Sequence, residues 1–110
     1  MSPFRRNRFA ELVNRQLDLF VTDEAELLAE ASDAETAWNR SSREGAEEAY
    51  GDYQLVVDAI ADRLLDLRES YATTLDSETA SAYREAFARA AGRRFRRYAS
   101  LVADLDEPSG

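Results

Sequence analysis

In the third quarter of the chain, Ala46, Tyr50, Tyr53, Val57, Ile60, Leu64, Leu67, Tyr71 and Thr74 recur at alternating steps of four and three residues. Side chains at that spacing gather on one side of an α-helix, whereas a strand would scatter them over both faces. The seam holds for about four heptads, long enough to demand an apolar partner along its whole length. Ala49 and Val56 widen it on one side and Ala61 on the other, while Asp58, Asp62, Asp66 and Glu69 take the opposite face. A helix over about 43–73 follows, roughly 45 Å long.

The boundaries of this helix are marked by polar residues. Ser41 has Glu44 three residues on, the spacing of a capping box at a helix start. Thr73-Thr74-Leu75-Asp76-Ser77 is a short connection in which Asp76 can cap the next helix. Leu75 and Ala80 then hold the two positions of a hydrophobic staple. The last helix is predicted over about 77–105, with Ala80, Tyr83, Phe87, Ala90, Ala91, Tyr98, Leu101, Val102 and Leu105 as its apolar stripe. Gly92 lies inside it at a cost of about 1 kcal/mol relative to alanine. The tail, 106–110, is expected to fray.

The first third admits two readings. Val21-Thr22-Asp23-Glu24 has the composition of a cap that would divide it into two short helices. Against this, Phe9, Val13, Phe20, Leu27, Ala31, Ala34 and Trp38 share a stripe only about 60° wide if one helix runs through. Phase favours a single helix over about 4–40, with a bend or break near Thr22 as the alternative. Pro3 and Pro108 stand at the two ends, so no proline interrupts the interior. The expected architecture is all-α, an antiparallel three-helix bundle or coiled coil of long helices (about 4–40, 43–73 and 77–105), forming one domain over 1–105.

Composition narrows the chemistry. The chain contains no histidine, cysteine or lysine, so all 14 basic residues are arginine. Histidine-based triads, thiolate nucleophiles, disulfides, cysteine-ligated metals and Schiff-base lysines are thereby excluded. Carboxylate-bridged di-iron bundles, which need a Glu-x-x-His motif, are excluded with them. A formal net charge of −8 argues against a general nucleic-acid binder. Arginine in place of lysine fits a G+C-rich bacterial genome. No stretch is apolar for the length a membrane span needs, and MSPFRRNRF lacks the apolar run of a signal peptide, so the cytoplasm is the expected location.

Carboxylates, arginines and tyrosines remain as candidates. Glu44 and Glu47, with Glu48 and Asp52 beside them, are the candidate ligands for a hard cation such as Mg²⁺. All-α nucleoside-triphosphate pyrophosphohydrolases hold Mg²⁺ with ExxE followed later by ExxD. Here the ExxD pair, Glu30 and Asp33, precedes the ExxE pair and lies too close to it. Two acids three residues apart are common on a solvated face, and no cofactor is expected. The arginines group as Phe4-Arg5-Arg6-Asn7-Arg8-Phe9 and as Arg93-Arg94-Phe95-Arg96-Arg97-Tyr98.

Arg94 falls on the apolar stripe of its helix, and Gln16, Asp23 and Glu30 interrupt the stripe of the first. A partly buried Arg94–Asp23 pair is expected, or failing that Arg94–Glu30; such a contact sets register more than it adds stability. Leu55 amid the acidic face and Leu65 at its edge hint at a covering subunit. The functional expectation is a non-enzymatic helical scaffold that self-associates, with a dimer favoured. The candidate interaction residues are Arg94, Asp23, Arg93, Arg96, Arg97, Leu55 and Leu65. The alternatives are a carboxylate-dependent Mg²⁺ or Mn²⁺ nucleotide hydrolase, and an adaptor whose arginine clusters hold an acidic partner.

Overall fold

A computed structural model describes residues 8–98. Within them the chain forms four helices: α1 (Ala10–Asp23), α2 (Ala25–Arg40), α3 (Ala46–Ala72) and α4 (Ser77–Arg94). No strand occurs among the described residues.

The single first helix expected from phase is therefore two. Glu24, with φ −107° and ψ 27°, leaves the helical region between α1 and α2. Its N–H still donates to the Phe20 carbonyl at 2.8 Å, and its own carbonyl accepts from the Leu28 N–H at 3.0 Å. Hydrogen bonds of helical span thus bracket the break, which is a kink and not a loop. That is why the apolar phase survives it: Phe9, Val13, Phe20 and Ala31 are buried, and Leu27, Ala34 and Trp38 pack against the core. The cause is local. Val21, Thr22 and Asp23 are three successive weak helix formers. The Thr22 hydroxyl also donates back to the Asp18 carbonyl at 3.3 Å, a contact that bends helices.

The start of α3 also departs from expectation. Ser41 is extended, at φ −69° and ψ 147°, and its hydroxyl donates to the Trp38 carbonyl at 2.6 Å. Ser41 thus closes α2 and does not open α3, whose N-cap is Gly45 with no side-chain cap. Asp76, by contrast, caps α4 as its position suggests. It accepts from the Thr79 N–H at 2.9 Å and from the Thr79 hydroxyl at 3.0 Å. The α4 helix stops at Arg94, where Phe95 turns out of it with φ −111° and ψ 33°. The predicted continuation over 99–105, the tail 106–110 and most of the first arginine cluster lie outside the described residues.

Ring contacts set the directions of the helices. Phe9 meets Tyr83 at 5.5 Å and Phe20 meets Phe95 at 6.0 Å, so α1 and α4 run parallel. Trp38 packs on Tyr50 at 4.8 Å and on Tyr53 at 5.4 Å, near the turn that reverses α2 into α3. Tyr71 against Tyr83 and Tyr53 against Tyr98 make α3 and α4 antiparallel neighbours. The result is an elongated helical bundle, 53 × 28 × 23 Å. Its innermost side chains are Val13, Leu17, Val57, Ile60, Leu64, Tyr83 and Phe87. Burying an aliphatic or phenylalanine side chain of this kind contributes about 1.5–3 kcal/mol.

Candidate interaction surfaces

Polar residues join the helices at defined points. Five arginine–carboxylate contacts occur among the described residues. The best formed joins α3 to α4. Arg84 Nε and Nη2 donate to the two oxygens of Glu69 at 2.9 and 2.8 Å, the fork-to-fork geometry that suits arginine. Arg68 Nε donates to the same carboxylate at 2.8 Å. These hydrogen bonds, that from Arg84 first, hold the Glu69 carboxyl down at about 2. Arg63 Nη1 reaches both oxygens of Glu24 at 3.1 and 2.9 Å, tying α3 to the kink. Arg97 donates to Glu35, fastening the chain after α4 to α2.

Arg94 is paired, but not with Asp23. Its Nη1 donates to Asp18 Oδ1 at 2.6 Å, and its side chain keeps about a third of its exposure. Two physical reasons correct the expectation. The Phe9–Tyr83 and Phe20–Phe95 contacts place Arg94 level with Leu19–Phe20, about one turn from Asp23. Rotation matters as much: Asp23 and Gln16 lie on the flank of α1 that faces α3. There they line an open groove of about 270 Å³ with Leu19, Phe20, Glu24, Arg63 and Leu67. Glu30 lines a second, polar depression beside the kink, so neither expected acid meets Arg94.

Arg68 is the buried charge that the sequence reading did not single out, at 8% exposure. Its signal lies in the buried row Ala61, Leu64, Arg68 and Ala72, a second stripe beside the heptad seam. The small side chains at 61 and 72 leave room for the arginine stem, while the guanidinium escapes to Glu69. Gln16 finds a role in the same region. The Tyr83 hydroxyl donates to Gln16 Oε1 at 2.8 Å, and burial pushes the Tyr83 phenol up to about 12. Burial likewise raises Tyr53 and Tyr98, which sit in the Trp38 cluster.

The outward surfaces carry the remaining candidates. Asp52, Leu55, Asp58, Asp62 and Asp66 are all exposed on α3, with Leu55 at 70%. Leu65 is half-buried and packs against the core. Arg89 and Arg93 on α4, and Arg96 just beyond it, are exposed. None of these three makes an ion pair among the described residues, in contrast to Arg94 and Arg97. Glu44, Glu47, Glu48 and Asp52 point into solvent at the start of α3. No three acidic side chains converge as a metal site would require among the described residues. No helix there is long and apolar enough to cross a membrane.

Chemically, the described residues offer surfaces, with no cluster of three acidic side chains among them. The strongly shifted carboxylate, Glu69, is occupied by two arginines, and the most shifted phenol, Tyr83, is held by an amide. Comparison with protein-family models, curated proteins and solved structures finds no match to this chain.

Proposed function

We propose that this chain is a non-enzymatic helical interaction protein, working in the cytoplasm as a self-associated scaffold, with the dimer as the favoured form. On this reading its helices act as an antiparallel bundle of coiled-coil type, with α1 and α2 together as one of three long layers. The observation that carries the proposal is the apolar surface left uncovered. Leu19, Val21, Tyr50 and Leu55 are all exposed, Leu19 at 58% and Leu55 at 70%. In addition, α2 buries only Ala31 along its 16 residues. A small bundle gains core by association, and exposed apolar groups rimmed by charge are where partners dock.

Size-exclusion chromatography with light scattering across micromolar concentrations tests this. A mass twice that of the chain, 12.4 kDa, is expected. A strict monomer over the whole range contradicts it.

A further inference from the structure

We propose that the outward face of α4, through Arg89, Arg93 and Arg96, is a docking surface for an acidic helix of another protein. This does not depend on the self-association proposed above. From Ala86 to Tyr98 the chain reads Ala-Phe-Ala-Arg-Ala-Ala-Gly-Arg-Arg-Phe-Arg-Arg-Tyr, five arginines with no acid among them, in a protein that carries 22 acids. Two of the five are used within the chain, Arg94 on Asp18 and Arg97 on Glu35. The other three are exposed and make no ion pair among the described residues. On a wheel at about 100° per residue they fall within about 60° of one another. They stand about 120–180° round from Arg84, the residue that meets α3, and away from the buried Tyr83, Phe87 and Ala91.

Lower on the same flank, Arg8 lies beside Ala82 with Glu78 and Thr79. Exposed Glu78 and Glu85 dilute the positive charge there, so the purely basic part begins at Ala86. Arg93 stands about 6 Å along the axis from Arg89, and Arg96 roughly a further turn on. Carboxylates one turn apart on a helix have the same spacing. An acidic helix laid alongside can therefore set one acid against each guanidinium. Ala86 and Gly92, beside the arginines, let its backbone come close.

Other anionic occupants fit this face less well. It has no large exposed apolar side chain to enter a bilayer, since Leu19 and Val21 are on α1 and Tyr50 and Leu55 on α3. Phe95 and Tyr98 are buried, so no aromatic platform is offered to nucleic-acid bases. A net charge of −8 also opposes a polyanion at long range. The aspartates of α3 lie on a different face, so further copies of this chain docked here would extend without closing. Each exposed ion pair adds little alone, and three in register supply specificity more than affinity.

The test measures the fluorescence anisotropy of two labelled, alanine-based helical peptides of identical composition as the full chain is added. One carries glutamates at alternating four- and three-residue steps, along one face; the other spreads them round the helix. The matched peptide should bind roughly tenfold more tightly, and its binding should weaken as salt is raised. Arg89→Gln/Arg93→Gln/Arg96→Gln should abolish that preference, whereas Arg40→Gln/Arg43→Gln, which removes two exposed arginines elsewhere, should retain it. The peptide comparison on the parent needs no variant, so it decides the matter even where circular dichroism shows the triple variant to be poorly folded. Equal binding of the two peptides, or equal loss in the two variants, would reduce the effect to unspecific charge and overturn the proposal. Phosphatidylserine vesicles or a single-stranded oligonucleotide bound more tightly than the matched peptide, and released by the triple variant, would make phosphate the ligand and overturn it as well. Chains of the parent that lengthen with concentration and disappear in the triple variant would make a further copy the occupant, against the proposal.

Discussion

The two ends of this bundle are built differently. Toward the turn between α3 and α4, α1 and α4 clasp the second half of α3, and Val13, Leu17, Leu64, Tyr83 and Phe87 have no accessible surface. Toward the turn between α2 and α3, α2 packs on α3 through Ala31, Leu27, Leu28, Ala34 and Trp38, and of these only Ala31 is fully buried. The exposed apolar groups follow this division. Tyr50 and Leu55 stand on the thin half, and Leu19 and Val21 beside the kink that separates the halves. Among the described residues, the more enclosed half and the less enclosed half share a single helix, α3. The difference teaches that, among the described residues, the fully enclosed aromatic side chains Tyr83 and Phe87 gather at one end.

Mutations should break or sharpen that contrast. The largest effect is expected at the closed end, where Phe87→Ala should cost about 3–5 kcal/mol through lost burial and a cavity that the surrounding helices cannot close. Trp38→Ala at the open end should cost less, roughly 1–3 kcal/mol, because the ring is only half-buried. Denaturant titration of both variants measures the two values, and equal losses would remove the contrast.

The next effect depends on pH. The folded-state pKa of Glu69 is depressed from 4.5 to about 2, so its contribution is fully present above the unfolded value and is lost as pH falls through the folded one. The parent should lose stability between about pH 4.5 and pH 2 in a way that Glu69→Gln does not. Because this carboxylate keeps 39% of its exposure, solvent screening makes the difference modest. Acid melting curves of the two proteins check it. The smallest effect is expected at Leu55→Ser, which should leave the melting temperature of the dilute monomer unchanged while weakening the dimer.

How much of this was legible in the sequence follows from what each feature depends on. The α3 seam and the Asp76 cap depend on near neighbours along the chain, and both were readable as spacing. The kink at Glu24 was half-visible. Val21-Thr22-Asp23 announced it, but hydrogen bonds of helical span on both sides of Glu24 preserved the phase used to argue for one continuous helix. The Arg94 partner was not legible, because it depends on how far α1 is rotated about its own axis, and that rotation turns Asp23 toward α3 and Asp18 toward α4. Arg68 was hidden by the assumption of one seam. A helix that touches neighbours on two sides buries two stripes, and alanines at 61 and 72 were its trace.

What unites these particulars is the division of the arginines. Some are spent inside the chain, Arg68 and Arg84 on Glu69, Arg63 on Glu24, Arg94 on Asp18 and Arg97 on Glu35. Arg89, Arg93 and Arg96 are exposed and make no ion pair among the described residues. The most direct measurement is sedimentation equilibrium of the full chain across micromolar concentrations. The account predicts a mass that rises with concentration toward twice that of the 12.4 kDa chain. A strict monomer over the whole range would contradict it.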